Sequence, residues 1–93
     1  MDLGFFTMPI HPHHREQFET LREDLEMTVL ADQLGFKEGF FGEHITDKAE
    51  NIPSPLIFIA WLLEQTQNIV LGTGTVNIPN HHPARVAAEV AMV

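Results

Sequence analysis

Glu43 and His44 are adjacent, an acid and an imidazole that follow the apolar stretch 36–42 and open a loop lasting to Pro53. An imidazole exchanges protons near neutral pH and a neighbouring carboxylate can orient hydrogen bonds, so the pair suits general acid–base chemistry. The competing reading is a histidine that caps a strand end or bonds a nearby carbonyl. Gly72-Thr73-Gly74-Thr75 is a second candidate. It matches neither G-x-G-x-x-G nor the Walker pattern, and no Lys follows the glycines, which excludes a phosphate loop. Glycines at a strand end instead let a flat ligand approach the backbone, or mark a bulge. Five further histidines fall in two groups, His11, His13 and His14, then His81 and His82. Neither group has zinc-motif spacing or i,i+4 pairing, so they read as surface loop histidines and no metal site is expected. Trp61 lacks the basic neighbours of a base-stacking platform and reads as core or subunit contact.

These residues need elements to position them, and one unit recurs three times: apolar stretch, polar loop, helical pattern. The first has a strand over 3–8 stopped by Pro9, then a helix over 20–34 opened by Thr20 and Glu23 at capping-box spacing. Met27, Leu30, Ala31 and Leu34 form one apolar stripe, and Phe18, Leu21, Leu25 and Val29 a second, which predicts contact with a sheet and with neighbouring helices. Gly35 stands where a left-handed helix stop belongs. The second unit has a strand over 36–42 and a helix opened by Ser54 as N-cap and Pro55 at the first helical position, apolar on nearly every side to about residue 65. The third has a strand over 69–76, a loop over 77–82, and a helix opened by Pro83 with Val86, Ala87, Val90 and Ala91 on one face. Strand then helix, three times, implies parallel strands with right-handed crossovers.

Composition limits the class. Thirteen acids against five Lys and Arg give a formal charge of −8, which argues against a phosphate-tracking nucleic-acid binder. The absence of Cys removes disulfides, thiolate catalysis and Cys-ligated metal clusters. The longest apolar run, 56–63, is far short of the roughly 20 residues of a membrane span, and the N-terminus lacks signal-peptide features. The expectation is a soluble, cytoplasmic protein. An α/β fold follows, as an open doubly wound sheet or a (β/α)8 barrel. Since a barrel takes about 250 residues, residues 1–93 would be the N-terminal part of one, its first three β-α units, incomplete at the C-terminus. In either architecture the working face lies at the carboxyl ends of the strands.

Five segments, in order and spacing, resemble the luciferase-like flavin-dependent monooxygenases, the bacterial luciferase superfamily. They are Gly4-Phe5-Phe6, Ala31-Asp32-Gln33-Leu34-Gly35-Phe36, Gly42-Glu43-His44, Leu71-Gly72-Thr73-Gly74 through Pro79, and His82-Pro83-Ala84-Arg85 followed by Ala88-Glu89. The nearest branch is the one labelled limonene-monooxygenase-like. The resemblance implies a TIM-type barrel with flavin at its carboxyl end. It implies that Phe6 lines the ring pocket, that His44 is the active-site histidine, with Glu43 orienting its loop, and that Gly74-Thr75 carries a cis peptide propping the ring. The family's phosphate-binding segments lie later in the barrel, so this chain by itself should bind flavin poorly. The implied activity is insertion of one oxygen atom from O2 into a small organic substrate, using reduced FMN from a separate flavin reductase. The all-round apolar helix and Ala87, Ala88 and Ala91, in a region through which the family commonly pairs subunits, imply a homodimer or a related heterodimer. A deazaflavin-dependent hydride-transfer enzyme on the same barrel is the second reading, and a truncated, non-catalytic remnant the third.

Overall fold

Three parallel strands, β1 (Gly4–Thr7), β2 (Glu38–Phe41) and β3 (Val70–Thr73), lie side by side in chain order in the computed structural model, which describes residues 1–93. Helix α1 (Gln17–Gln33) joins the first two strands and α2 (Pro55–Leu63) the second pair; a 3-10 turn (Ile78–Asn80) and α3 (Pro83–Met92) follow β3. The register puts Phe6 beside Phe40 and Phe40 beside Gly72, with Thr7, Phe41 and Thr73 in the next row. Side chains alternate across a strand, so these rows point to opposite faces.

One face carries the core. Phe41 is fully buried among Leu25, Ile52, Phe58, Ile59 and Leu62, with edge-to-face contacts to Phe5 and Phe58. The other face carries Phe6, Met8, Phe40 and Val70 and has no helix over it. Phe6 is 55% exposed there. Glycine lets its rings lie flat: a Cβ on Gly72 would stand 2.7 Å from the Phe40 ring, and one on Gly74 would stand 2.8 Å from that of Phe6.

Both turns expected at helix ends form. Gly35 has φ +88°, and the N–H groups of Gly35 and Phe36 return to the carbonyls of Asp32 and Ala31, the double bond of a Schellman stop. Ser54 Oγ accepts from the Ile57 N–H at 3.4 Å with Pro55 opening α2. The strands are shorter than the apolar stretches suggested, although ladder bonds run on through Gly42 N–H to Thr7 and Gly74 N–H to Phe41. Asp32 adds a tie absent from the sequence reading. Its carboxylate accepts the N–H groups of Gln67, Asn68 and Ile69 at 2.8–2.9 Å, pinning the end of α1 to the chain entering β3.

One helix expectation is corrected. α1 starts at Gln17, not Thr20, because a turn closed by Arg15 N–H to Pro12 delivers the chain at Glu16, whose carbonyl takes the Thr20 N–H. Thr20 is therefore buried inside the first turn, its hydroxyl donating back to Gln17, while Glu23 pairs with Arg15 at 2.9 Å. Of the two stripes, Leu25 and Ala31 are buried, Leu21 and Val29 pack against the core and α1 touches α2, while Met27, Leu30 and Leu34 are exposed in residues 1–93. No helix is long and apolar enough to cross a membrane.

Candidate functional site

At the carboxyl ends of the strands lies a depression of about 340 Å³ lined by Met8, Gly42, Glu43, His44, Gly74, Thr75 and Asn77, and a second of about 440 Å³ adjoins it, sharing Glu43, His44 and Asn77. Parallel strands bring this about, since each ends at the same edge and hands its next residues to a loop there. Phe6 lies at the border, its ring against Gly74. The peptide bond between Gly74 and Thr75 is cis. The structure thus brings Phe6, Glu43, His44, Gly74 and Thr75 to one edge. An apolar groove of about 360 Å³ lies between α1 and α2, lined by Leu21, Ile52, Ile57, Phe58 and Trp61, but it holds no titratable side chain.

Glu43 and His44 diverge. The Glu43 side chain is 1% exposed, with Oε2 2.8 Å from His81 Nε2, and its main-chain carbonyl accepts from Asn77 Nδ2 at 3.3 Å. Its second carboxylate oxygen, Oε1, is buried with no hydrogen-bond partner. His44 turns to Glu50: its Nδ1 lies 2.7 Å from Glu50 Oε2, and its backbone N–H donates to Ile52 at 3.1 Å. The other ring nitrogen, Nε2, lies near Gly42 beside the Met8 side chain: a Cβ on Gly42 would stand 2.7 Å from Met8 and 3.4 Å from Nε2. The side-chain partner of His44 is therefore Glu50, not its neighbour in sequence.

Two of the histidines assigned to surface loops are corrected. His11 is buried, with Nε2 2.9 Å from Asp24 Oδ2 and Nδ1 2.6 Å from Asn51 Oδ1. Burial holds the Asp24 carboxyl above its ordinary range, and the charge and hydrogen bond of His11 oppose that shift. His81 reaches Glu43 because the 3-10 turn, closed by the N–H groups of Asn80 and His81, folds the loop after β3 back over the end of β2. Neither pairing leaves a spacing signal, since the partners stand 13 and 38 residues apart. His13 and His14 are exposed as expected, and His82 caps α3 through Nδ1, accepting the Ala84 N–H at 3.2 Å. No three or more His, Cys, Asp or Glu side chains are grouped so as to hold a metal ion.

Residues 1–93 match the family model described as luciferase-like monooxygenase. The chain is 39% identical over its whole length to 4-hydroxyprotoasukamycin monooxygenase of Streptomyces nodosus subsp. asukaensis, covering 25% of that protein. It is 37% identical, again over its whole length, to limonene 1,2-monooxygenase of Rhodococcus erythropolis, covering 24% of it. Among solved structures, the oxygenating constituent of 3,6-diketocamphane monooxygenase from Pseudomonas putida, a type II Baeyer–Villiger monooxygenase in complex with FMN, superposes with a TM-score of 0.90. That match has 30% identity and covers 97% of this chain and 25% of the other. The chain thus spans about a quarter of the length of the relatives it matches. With three parallel strands in the family's arrangement and the family model matched from Met1 to Val93, the chain belongs to the luciferase-like monooxygenases.

Proposed function

We propose that the protein carrying this chain is the oxygenase of a two-component, FMN-dependent monooxygenase, and that residues 1–93 supply the first three units of a (β/α)8 barrel domain. The observation that carries this reading is the meeting of Phe6, Gly74–Thr75 and His44 at one edge of the sheet. The residues fit a flavin ring. Phe6 offers an exposed aromatic surface, Gly74 keeps the neighbouring backbone bare, and Glu43 Oε1 is a buried acceptor without a donor. None of the five Lys and Arg lines the depression, so the flavin phosphate is assigned to other parts of the protein.

Reduced flavin, when bound, supplies the electrons that let one atom of O2 enter the substrate while the other leaves as water. Phe6 and the Gly74–Thr75 backbone would hold the ring, and Glu43 would fix the loop end through His81 and Asn77. His44 would take up or give a proton at Nε2, the nitrogen that faces the depression. A reductase partner delivers the reduced flavin, a small organic molecule is the substrate, and the subunits pair as a homodimer. That the similar oxygenating constituent from Pseudomonas putida is in complex with FMN supports FMN over the deazaflavin reading.

Anaerobic titration of the whole protein with reduced FMN, and separately with a reduced deazaflavin, tests the proposal. The expected result is saturable binding of FMN in preference to deazaflavin, followed by oxygen uptake when O2 is admitted. Preferential deazaflavin binding would favour hydride transfer instead.

A further inference from the structure

The loop between β2 and α2 is fastened on both sides of Glu50. Asp47 Oδ1 accepts the N–H groups of Ala49 at 2.7 Å and Glu50 at 3.1 Å, and these bonds hold the Asp47 carboxyl below its ordinary range. From across the gap, the His11 N–H donates to the Ala49 carbonyl at 2.8 Å, and its ring meets Asn51 at 2.6 Å. Ile52 is buried in the core and its carbonyl takes the His44 N–H. The backbone at Glu50 is thus fixed relative to His44, and the two side chains, 22% and 28% exposed, meet at 2.7 Å. A surface pair free to choose its geometry would not need a loop fastened at residues 47, 49, 51 and 52.

We infer that Glu50 is the positioning residue of His44: its carboxylate accepts the Nδ1 proton, fixes the ring, and leaves Nε2 unprotonated toward the depression. An ionised carboxylate can only accept, so the neutral imidazole bonded to it carries its proton on Nδ1. Nε2 is then the basic nitrogen, and the carboxylate stabilises the imidazolium that forms when it takes a proton. The role for that proton rests on the monooxygenase reading; the tautomer does not.

The test is nitrogen-15 NMR of the histidine rings in the whole protein at a pH where His44 is neutral. The His44 signals are assigned by their loss in His44→Gln. The expected result is the Nδ1–H tautomer in the unaltered protein and a shift toward Nε2–H in Glu50→Gln, whose amide can donate to Nδ1. In reduced-FMN-dependent turnover, Glu50→Gln should lower kcat by roughly 10²-fold with KM little changed, as expected when a base is held in the wrong tautomer. An Nε2–H tautomer in the unaltered protein overturns the inference, as does a tautomer unmoved when Glu50→Ala removes the acceptor, and the first of these needs no variant to fold. If the tautomer shifts as expected but His44→Ala retains full turnover, the positioning stands and the monooxygenase role given to His44 is what fails.

Discussion

His44 divides its two ring nitrogens between a carboxylate and a depression, and its replacement should therefore separate chemistry from folding. His44→Ala should cost roughly 10²–10⁴ in turnover, the usual range for the loss of one general acid or base. Melting temperature and reduced-FMN affinity should change little, because the ring is partly exposed and packs outside the core. Near-normal product formation would reduce His44 to a strand-end residue. Phe6 should behave in the opposite way. Its ring lies against Gly74 on the sheet face away from the helices, so Phe6→Ala should weaken reduced-FMN binding more than it lowers stability. A lowered melting temperature at equal affinity would make it packing. At this scale the sequence was legible in part. Glu43 and His44 announce themselves as neighbours, yet the contacts that matter pair His44 with Glu50 and Glu43 with His81. Those pairings depend on how two loops fold back over the strand ends, which residue spacing does not encode.

At the scale of elements, the tie between α1 and β3 rests on one carboxylate. Three backbone N–H groups favour the charged form of Asp32 and hold it below the ordinary aspartate range. A depressed carboxyl contributes stability that is complete above its unfolded value and lost as pH falls through its folded one. The whole protein should therefore lose stability below about pH 4 partly through this group, and Asp32→Asn should flatten that part of the acid limb while lowering the melting temperature at neutral pH. Identical acid limbs would show that Asp32 does not carry the tie. Ser54→Ala removes the hydroxyl at the start of α2 and should cost about 0.5–2 kcal/mol in chemical denaturation. The helix stops and starts marked by Gly35, Ser54 and Pro83 were readable because glycine, hydroxyl and proline act on their own local backbone. The start of α1 was not, because the Pro12–Arg15 turn and the Arg15–Glu23 pair supersede the Thr20 signal.

Across the molecule, one sheet face is covered by helices and the other presents Phe6, Met8, Phe40 and Val70, the arrangement that a barrel interior would use. Outside the sheet, Ile57 is 74% exposed and Leu63 43% exposed on α2, a helix with no polar face. Sedimentation of the whole protein at micromolar concentration should give a dimer, and Ile57→Glu should shift it toward monomer if α2 forms the contact. A monomeric unaltered protein would end that part of the proposal. The central claim is that the carboxyl edge of β1–β3 receives the flavin ring, and a crystal structure of the whole protein with FMN tests it most directly. The account predicts density for the ring against Phe6 and the Gly74–Thr75 backbone, with His44 Nε2 facing it and Glu50 still on Nδ1. Ring density elsewhere, such as in the apolar groove between α1 and α2, with Phe6 and His44 untouched, would contradict it.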